Sequence, residues 1–134
     1  GIWGHAVWPS NAWLGVSVEN QEMMDKRGPI LLDLKKRYDI PVAFLSLEPM
    51  LGDISLPPDM RRLQSEVGGF WAICGGESGN QARPMKKEWA MRLLAQCRLA
   101  KIPFFMKQGS AANWLRYKDF DFFPEALKIR EFPK

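Results

Sequence analysis

Apolar and polar residues follow one another along this chain with the period of a strand in some stretches and of a helix in others. Short apolar runs that end in polar residues predict four strands, at residues 12–20, 40–51, 70–76 and 103–108. Apolar residues spaced three and four apart predict helices at 21–38 and 85–102. Inside the first helix, Gly28 and Pro29 predict a break, with a second helix starting near Pro29.

The remaining segments carry weaker signals. Residues 52–69 predict a loop with one or two helical turns. The segment from 109 onward is aromatic and charged, and its stretch "EALKIREF" fits either a short helix or an edge strand. In the helix at 85–102 we expect a buried stripe made of Trp89, Leu93, Leu94, Cys97 and Ala100.

This alternation of strands and helices predicts an α/β fold, with a parallel sheet of about four strands joined by right-handed crossover helices. The chain of 134 residues has the length of one domain, and no linker or repeat divides it. We therefore expect a single domain over residues 1–134, with its core at about 11–108 and an aromatic, charged tail at 109–134.

Composition and charge exclude few functions. A hydrophobic content of 46% and a charged content of 25% are ordinary for a globular protein, and the net charge of +4 is mild. No apolar run approaches the roughly 20 residues of a membrane span, and "GIWGHAVWPS" does not resemble a signal peptide. We expect a cytoplasmic protein that is not in a membrane.

Metal ligands are scarce in the sequence. Cys74, in a strand, and Cys97, in a helix, form no C-x-x-C pair, which favours two reduced, buried thiols. His5 is the one histidine, and we expect it at the surface. Because structural zinc usually takes four Cys or His ligands, the sequence predicts no metal site.

Polar residues collect where the predicted strands end. Parallel strands bring their carboxyl ends to one rim, where ligands of α/β proteins bind. The first three predicted strands end near Glu19, Glu48 and Glu77. Three carboxylates this close repel each other unless a cation, a ligand or a raised pKa compensates. The alternative is that each carboxylate caps a helix or pairs with a nearby lysine. The candidate ligand-binding residues are Ser17, Glu19, Glu48, Gly75, Gly76, Glu77, Ser78 and Lys107.

The stretch "FWAICGGESGNQARP", residues 70–84, raises a second hypothesis. Glycines let a backbone approach a ligand closely, exposed amides favour anions, and Arg83 adds positive charge. The stretch matches neither the P-loop pattern nor G-x-G-x-x-G, so a tight turn after the strand explains it equally well. If the loop does bind, the chain is a small α/β module that takes an anionic metabolite at Gly75–Gly79.

The segment "NWLRYKDFDFF" raises a third hypothesis, a nucleic-acid-binding module. Interleaved aromatic and basic residues stack on bases and contact phosphates. The alternative is that these aromatic residues fill the open side of the hydrophobic core.

Four stretches together carry a resemblance: "NAWLGVSVENQ", "FLSLEPMLGDI", "ICGGESGNQARPM" and "IPFFMKQ". They resemble the C-terminal half of a phage-associated protein family of unknown function that is itself similar to radical S-adenosylmethionine (SAM) proteins. The resemblance covers residues 11 to about 110. It implies half of a β/α barrel of TIM type, in which Ser17, Glu19, Glu48 and Glu77 face the mouth and help to bind SAM or substrate.

The chain departs from that family in one respect. The N-terminal half of such a protein carries a cysteine triad, which holds a [4Fe-4S] cluster with one iron open for SAM, and Cys74 and Cys97 cannot replace it. We therefore expect no cofactor in this chain and no catalysis by the chain alone. Because half a barrel exposes strand edges, we expect self-association, a partner that supplies the N-terminal half, or a tail that covers one edge.

Overall fold

Four parallel strands pair in the order of the sequence in this computed structural model, which describes residues 7–133. The expectation for His5 concerns a residue outside the described part. Three α-helices connect the strands, and two short 3-10 helices follow the last strand. The elements are β1 (Leu14–Ser17), α1 (Gln21–Arg37), β2 (Ala43–Leu47), α2 (Met60–Val67), β3 (Phe70–Gly75), α3 (Lys87–Ala100), β4 (Phe104–Gln108), η1 (Phe120–Phe122) and η2 (Glu125–Leu127).

The helices cover one face of the sheet. Along β2 and β3, every second side chain is fully buried, and these residues share one hydrophobic cluster with the buried sides of all three helices. The side chains between them, such as Phe44, Ser46, Trp71 and Ile73, point to the other face and stay partly exposed. Sequential parallel strands with right-handed crossovers produce this arrangement, because each crossover returns on the same side.

Helix α1 is continuous, so the predicted break at Gly28 and Pro29 is wrong. Its buried residues Met24, Leu31 and Leu32 lie on both sides of the proline and pack into one core. Packing of that face outweighs the one backbone hydrogen bond that Pro29 cannot make.

Helices α2 and α3 agree with the sequence patterns. The loop at 52–69 contains the expected two helical turns, as α2. In α3, Leu93, Cys97 and Ala100 are buried as predicted, while Trp89 and Leu94 pack against the core at its margin. Ala90 completes the buried side, although it was not part of the predicted stripe.

The tail folds back onto the sheet. Trp114, Phe123 and Leu127 are buried in the main core, which supports the interpretation that its aromatic residues fill the core. Residue Arg130 forms an antiparallel bridge with Phe105, so "EALKIREF" contains both a 3-10 turn and an edge pairing.

The predicted fold class is therefore confirmed: four parallel strands form one open sheet with three helices. Its relation to half of a β/α barrel stays a prediction.

Candidate functional site

The carboxyl ends of the four strands bring the predicted candidates to one edge of the sheet, which we call the rim. Ser17 and Ser46 are neighbours in the register of β1 and β2, and Gly75 pairs with Gln108 at the end of β4. The rim consists of Ser17, Glu19, Ser46, Glu48, Gly75, Gly76, Glu77, Ser78, Arg83 and Lys107. Ser46 belongs to it although it was not among the candidates, and Arg83, which the sequence named only for the anion-binding hypothesis, belongs to it as well.

Glu48 is a largely enclosed acid that has two partners at the rim. The hydroxyl of Ser46 donates a hydrogen bond to Glu48 Oε1 at 3.0 Å, and Lys107 Nζ lies 3.1 Å from Glu48 Oε2. The side chain of Glu48 is 22% exposed and that of Lys107 is 54% exposed. The pair therefore opens to solvent on the lysine side, where a ligand can reach both charges.

Gly75 makes this ion pair sterically feasible. Strand β3 lies between β2 and β4, so Glu48 and Lys107 meet across it. A Cβ atom on Gly75 would lie 3.2 Å from Glu48 Oε2 and 3.6 Å from Lys107 Cβ. A side chain larger than alanine at this position would occupy the space through which the two charges approach.

A second ion pair lies at the loop that follows β3. Arg83 donates from Nε and Nη2 to the two oxygens of Glu77, at 3.0 and 2.7 Å, and its backbone N–H donates to Glu77 Oε1 at 2.9 Å. These bonds lower the pKa of Glu77 to about 2. They also raise the pKa of Arg83, to which the negative charge of Glu19 adds a smaller contribution. Glu19 is thus close enough to interact with the same guanidinium.

The two ion pairs explain how three carboxylates share the rim. Lys107 compensates Glu48, as the sequence suggested, and Arg83 compensates Glu77. The pairing of Arg83 was not predictable from spacing, because it depends on a loop in which Gly79 adopts a φ of +94°.

The glycines after β3 have a packing role. The Gly76 N–H donates to the carbonyl of Gln108 at 3.0 Å, so this amide is not free for an anion. A Cβ on Gly76 would lie 2.5 Å from the backbone nitrogen of Ser110. Ser78 and Gly79 are exposed next to the ionised Glu77. This geometry gives more support to a tight turn than to an anion-binding loop.

The first strand contributes backbone contacts to the rim. The carbonyl of Ser17 accepts a hydrogen bond from Arg27 Nη1 at 2.6 Å, and the carbonyl of Glu19 accepts one from the Leu51 N–H at 2.8 Å. Asn20 caps α1 through the Met23 N–H at 2.9 Å. The hydroxyl of Ser17 is exposed on the uncovered face of the sheet, beside Ser46.

An aromatic surface lies below the rim on the same uncovered face. Trp71 is at its centre, with ring centroids of Trp13, Phe44 and Phe105 at 6.0, 6.1 and 6.0 Å and edge-to-face geometry. Phe132 lies 5.8 Å from Trp71 and is tilted. The sequence showed that each predicted strand contains one or two aromatic residues. It did not show which of them share this face, because Phe70 and Trp71, like Phe104 and Phe105, are adjacent in strands that are apolar almost throughout.

The described residues do not fit an iron–sulfur cluster. Cys74 and Cys97 are buried, and desolvation raises the pKa of Cys97 to about 12 and that of Cys74 further. Within residues 7–133, no group of three or more His, Cys, Asp or Glu side chains could hold a metal ion. Over the same residues, no helix has the length and apolarity needed to cross a membrane.

A cavity of about 570 Å³ lies at the opposite end of the sheet from the rim. Phe70 at the start of β3, Arg98 and Lys101 at the end of α3, and Glu131 are among the residues that line it. We assign the candidate site to the rim, because ligands of parallel α/β proteins bind at the carboxyl ends of the strands.

Comparison with known proteins gives one match. A family model described as "Protein of unknown function (DUF5131)" matches residues 2–121. No curated protein and no solved structure matches the chain. The description of the family names neither phages nor SAM.

Proposed function

We propose that this chain, which belongs to the DUF5131 family of proteins of unknown function, is the ligand-binding half of a radical-SAM-like protein. In this proposal the rim binds SAM, and a separate N-terminal half, with its cysteine triad, completes the active protein. The phage association and a cytoplasmic location belong to the same proposal. They rest on the sequence resemblance and on the two unpaired thiols.

The observation that carries the proposal is the Glu48–Lys107 pair over Gly75. Two opposite charges 3.1 Å apart, open to solvent on one side, suit a ligand that carries both an ammonium and a carboxylate. Such a zwitterion can exchange partners with the pair, so that Glu48 holds its ammonium and Lys107 its carboxylate.

The surroundings of this pair suit the rest of a SAM molecule. SAM is a zwitterion with a sulfonium, two ribose hydroxyls and a planar adenine. Ser17 and Ser46 place two hydroxyls beside the pair, and Trp71 with its ring neighbours supplies a surface on which a flat base can stack. Glu19 adds a negative charge to the rim, and this charge attracts the positive sulfonium.

Catalysis is not part of the proposed role of this chain. Reduction of SAM needs electrons from a cluster, and residues 7–133 offer no ligand set for one. The chain binds and orients SAM, and a second polypeptide or segment supplies the cluster. Over residues 7–133, the outer edge of β1 pairs with no strand, which leaves that edge for the partner.

Calorimetric titration of SAM into the purified chain tests the proposal. We expect binding that Glu48→Gln weakens at least about tenfold, a loss near 1.4 kcal/mol, because the ammonium loses its anion. S-adenosylhomocysteine, which lacks the positive sulfonium, should bind more weakly than SAM.

Glu66→Gln is the matched control. It removes an exposed carboxylate, paired with Arg62 at 3.1 Å, at the end of α2 away from the rim. This variant should bind SAM like the wild type. Absence of SAM binding by a folded wild-type chain, or equal affinity in Glu48→Gln, would reject the proposed site.

A further inference from the structure

Residues 129–132, which we call the strap, lie along the outer edge of β4 and pair with it through one antiparallel bridge. The Met106 N–H donates to the carbonyl of Ile129 at 2.8 Å, and the Glu131 N–H donates to the carbonyl of Phe104 at 2.9 Å. Arg130 and Phe105 are the antiparallel partners between these two bonds. The strap therefore closes an edge that a parallel sheet would otherwise leave open.

The guanidinium of Arg130 binds between backbone carbonyls and aromatic rings at the edge of β4. Its Nε and Nη2 atoms donate to the carbonyls of Met106 and Lys107 at 2.9 and 2.8 Å. Its guanidinium carbon lies 5.2 Å from the ring centroid of Phe105 and 5.0 Å from that of Phe120. Two carbonyls and two aromatic rings together select a planar cation.

Glu131 and Phe132, the next two residues of the strap, make further contacts with β3, β4 and α3. Glu131 Oε1 accepts hydrogen bonds from Arg98 Nη1 at 2.7 Å and from the Phe104 N–H at 3.0 Å. The carbonyl of Glu131 accepts a bond from the indole of Trp71 at 2.8 Å. The ring of Phe132 lies 5.4 Å from that of Phe105.

Ile129 packs against the margin of the hydrophobic core, and the other strap residues are attached by polar and surface contacts. Arg130 is exposed, Phe132 is 64% exposed, and the preceding Leu127 is the last residue of the tail that is fully buried in the core. Segments with few buried apolar contacts open at a lower free energy than the core does. We therefore expect the strap to detach from β4 at a lower free energy than unfolding of the core requires.

We propose that the outer edge of β4, with Trp71, Arg98, Phe105 and Phe120, is a peptide-binding groove that the chain's own strap occupies. The partner that fits it is the strap of a second copy of this chain. Exchange of identical straps conserves every hydrogen bond and ring contact described above, so only the connection between subunits changes.

A labelled peptide tests the groove in the full chain. The peptide KIREFP, residues 128–133 with blocked ends, is titrated by fluorescence anisotropy into the Glu131→Ala chain, whose strap is weakened while its groove is complete. We expect saturable binding. The wild-type chain should bind at least about tenfold more weakly, since its tethered strap competes at a high effective concentration.

Two changes identify the contacts. A peptide with Glu131→Ala should lose about tenfold or more in affinity for the Glu131→Ala chain, as should the native peptide when the chain also carries Arg98→Gln. Losses that do not add, when both changes are combined, show that Glu131 of the peptide meets Arg98 of the groove.

Hydrogen exchange on the native chain gives an independent result. The amides of Met106 and Glu131 should exchange faster than that of Leu45 in the middle of the sheet. A folded Glu131→Ala chain that ignores the peptide would overturn the proposal. Strap amides that exchange only at the rate of global unfolding would also overturn the proposal. Because this exchange is measured on the native chain, the result does not depend on whether the Glu131→Ala variant folds.

Discussion

Lys107 at the end of β4 reaches Glu48 beyond the end of β2, with 3.1 Å between Nζ and Oε2, directly over Gly75 of the intervening strand. Residues two strands apart in a sheet are separated by about twice the 4.8 Å strand spacing, so they pair only when nothing stands between them. The small size of Gly75 thus determines whether the rim presents a joined pair or two separate charges.

The first prediction concerns this position. Gly75→Val should abolish the SAM affinity that we propose, because its side chain separates Glu48 from Lys107. The free energy of unfolding should fall by about 1–3 kcal/mol, because valine overfills a buried position next to Glu48, so the variant should still fold. Calorimetric titration and a thermal melt measure the two effects.

Gly75→Ala is the matched variant, because its Cβ requires Glu48 Oε2 to move by only a few tenths of an ångström. It should retain most of the affinity. Unchanged SAM binding in Gly75→Val would show that the joined pair is not required.

The second prediction concerns the neighbouring glycine. Gly76→Ala should destabilise the fold by about 3 kcal/mol, because its Cβ would lie 2.5 Å from Ser110 N and 2.6 Å from Gly109 C. Both are backbone atoms, which cannot rotate away. Urea denaturation followed by circular dichroism measures the loss.

Gly52→Ala is the control for Gly76→Ala, since a Cβ at that position meets no atom within 4 Å. Its free energy of unfolding should stay within about 0.5 kcal/mol of the wild type. Similar stabilities for the two variants would mean that the loop at 75–79 moves away from residues 109–110 at little cost.

The third prediction concerns pH. The pKa of Glu77 is about 2 in the folded chain and ordinarily 4.5, because Arg83 binds the charged form. The ion pair therefore adds stability above pH 4.5, and this contribution disappears as the pH falls towards 2. Arg83→Gln should return the pKa of Glu77 towards its ordinary value, as a carboxyl-carbon NMR titration would show.

Arg37→Gln provides the comparison for this titration, because Arg37 pairs with Asp33 on α1, at the other end of the molecule from Glu77. It should leave the Glu77 titration unchanged. A normal pKa for Glu77 in the wild type would contradict the bidentate geometry with Arg83.

The sequence predicted the position of the rim better than its chemistry. The placement of Glu48, Glu77 and Lys107 at one edge of the sheet followed from where apolar runs end, since parallel strands place these ends together. The pairing of Glu77 with Arg83 did not follow, because it depends on the path of a loop. The strap was foreseen as one alternative, an edge strand in "EALKIREF" and a tail that covers an edge, and its bridge to Phe105 agrees with that alternative. Its other partners Phe104, Met106 and Trp71 could not be identified, because they lie far away in the chain.

The predicted break in helix α1 was wrong for a different reason. It relied on the local helix preferences of glycine and proline, which tertiary packing outweighs here. Gly28 and Pro29 are unfavourable inside an isolated helix. In the fold, Gly28 allows close contact with the loop after β2, since a Cβ there would lie 2.8 Å from Pro57 Cγ. This tertiary contact explains the glycine, and it is not visible in the sequence of α1 alone.

The last prediction follows from that helix. Pro29→Ala should stabilise the protein, because residue 29 gains an N–H that can donate to the carbonyl four residues earlier, at Asp25. The loss of proline's restriction on the unfolded chain opposes this gain, so we expect a net increase of about 1 kcal/mol, or roughly 4 °C in the melting temperature. Gly28→Ala, the adjacent comparison, should lower it through the contact with Pro57. A lower melting temperature for Pro29→Ala would show that the packing of its ring near Pro57 and Pro58 contributes more than the missing hydrogen bond costs.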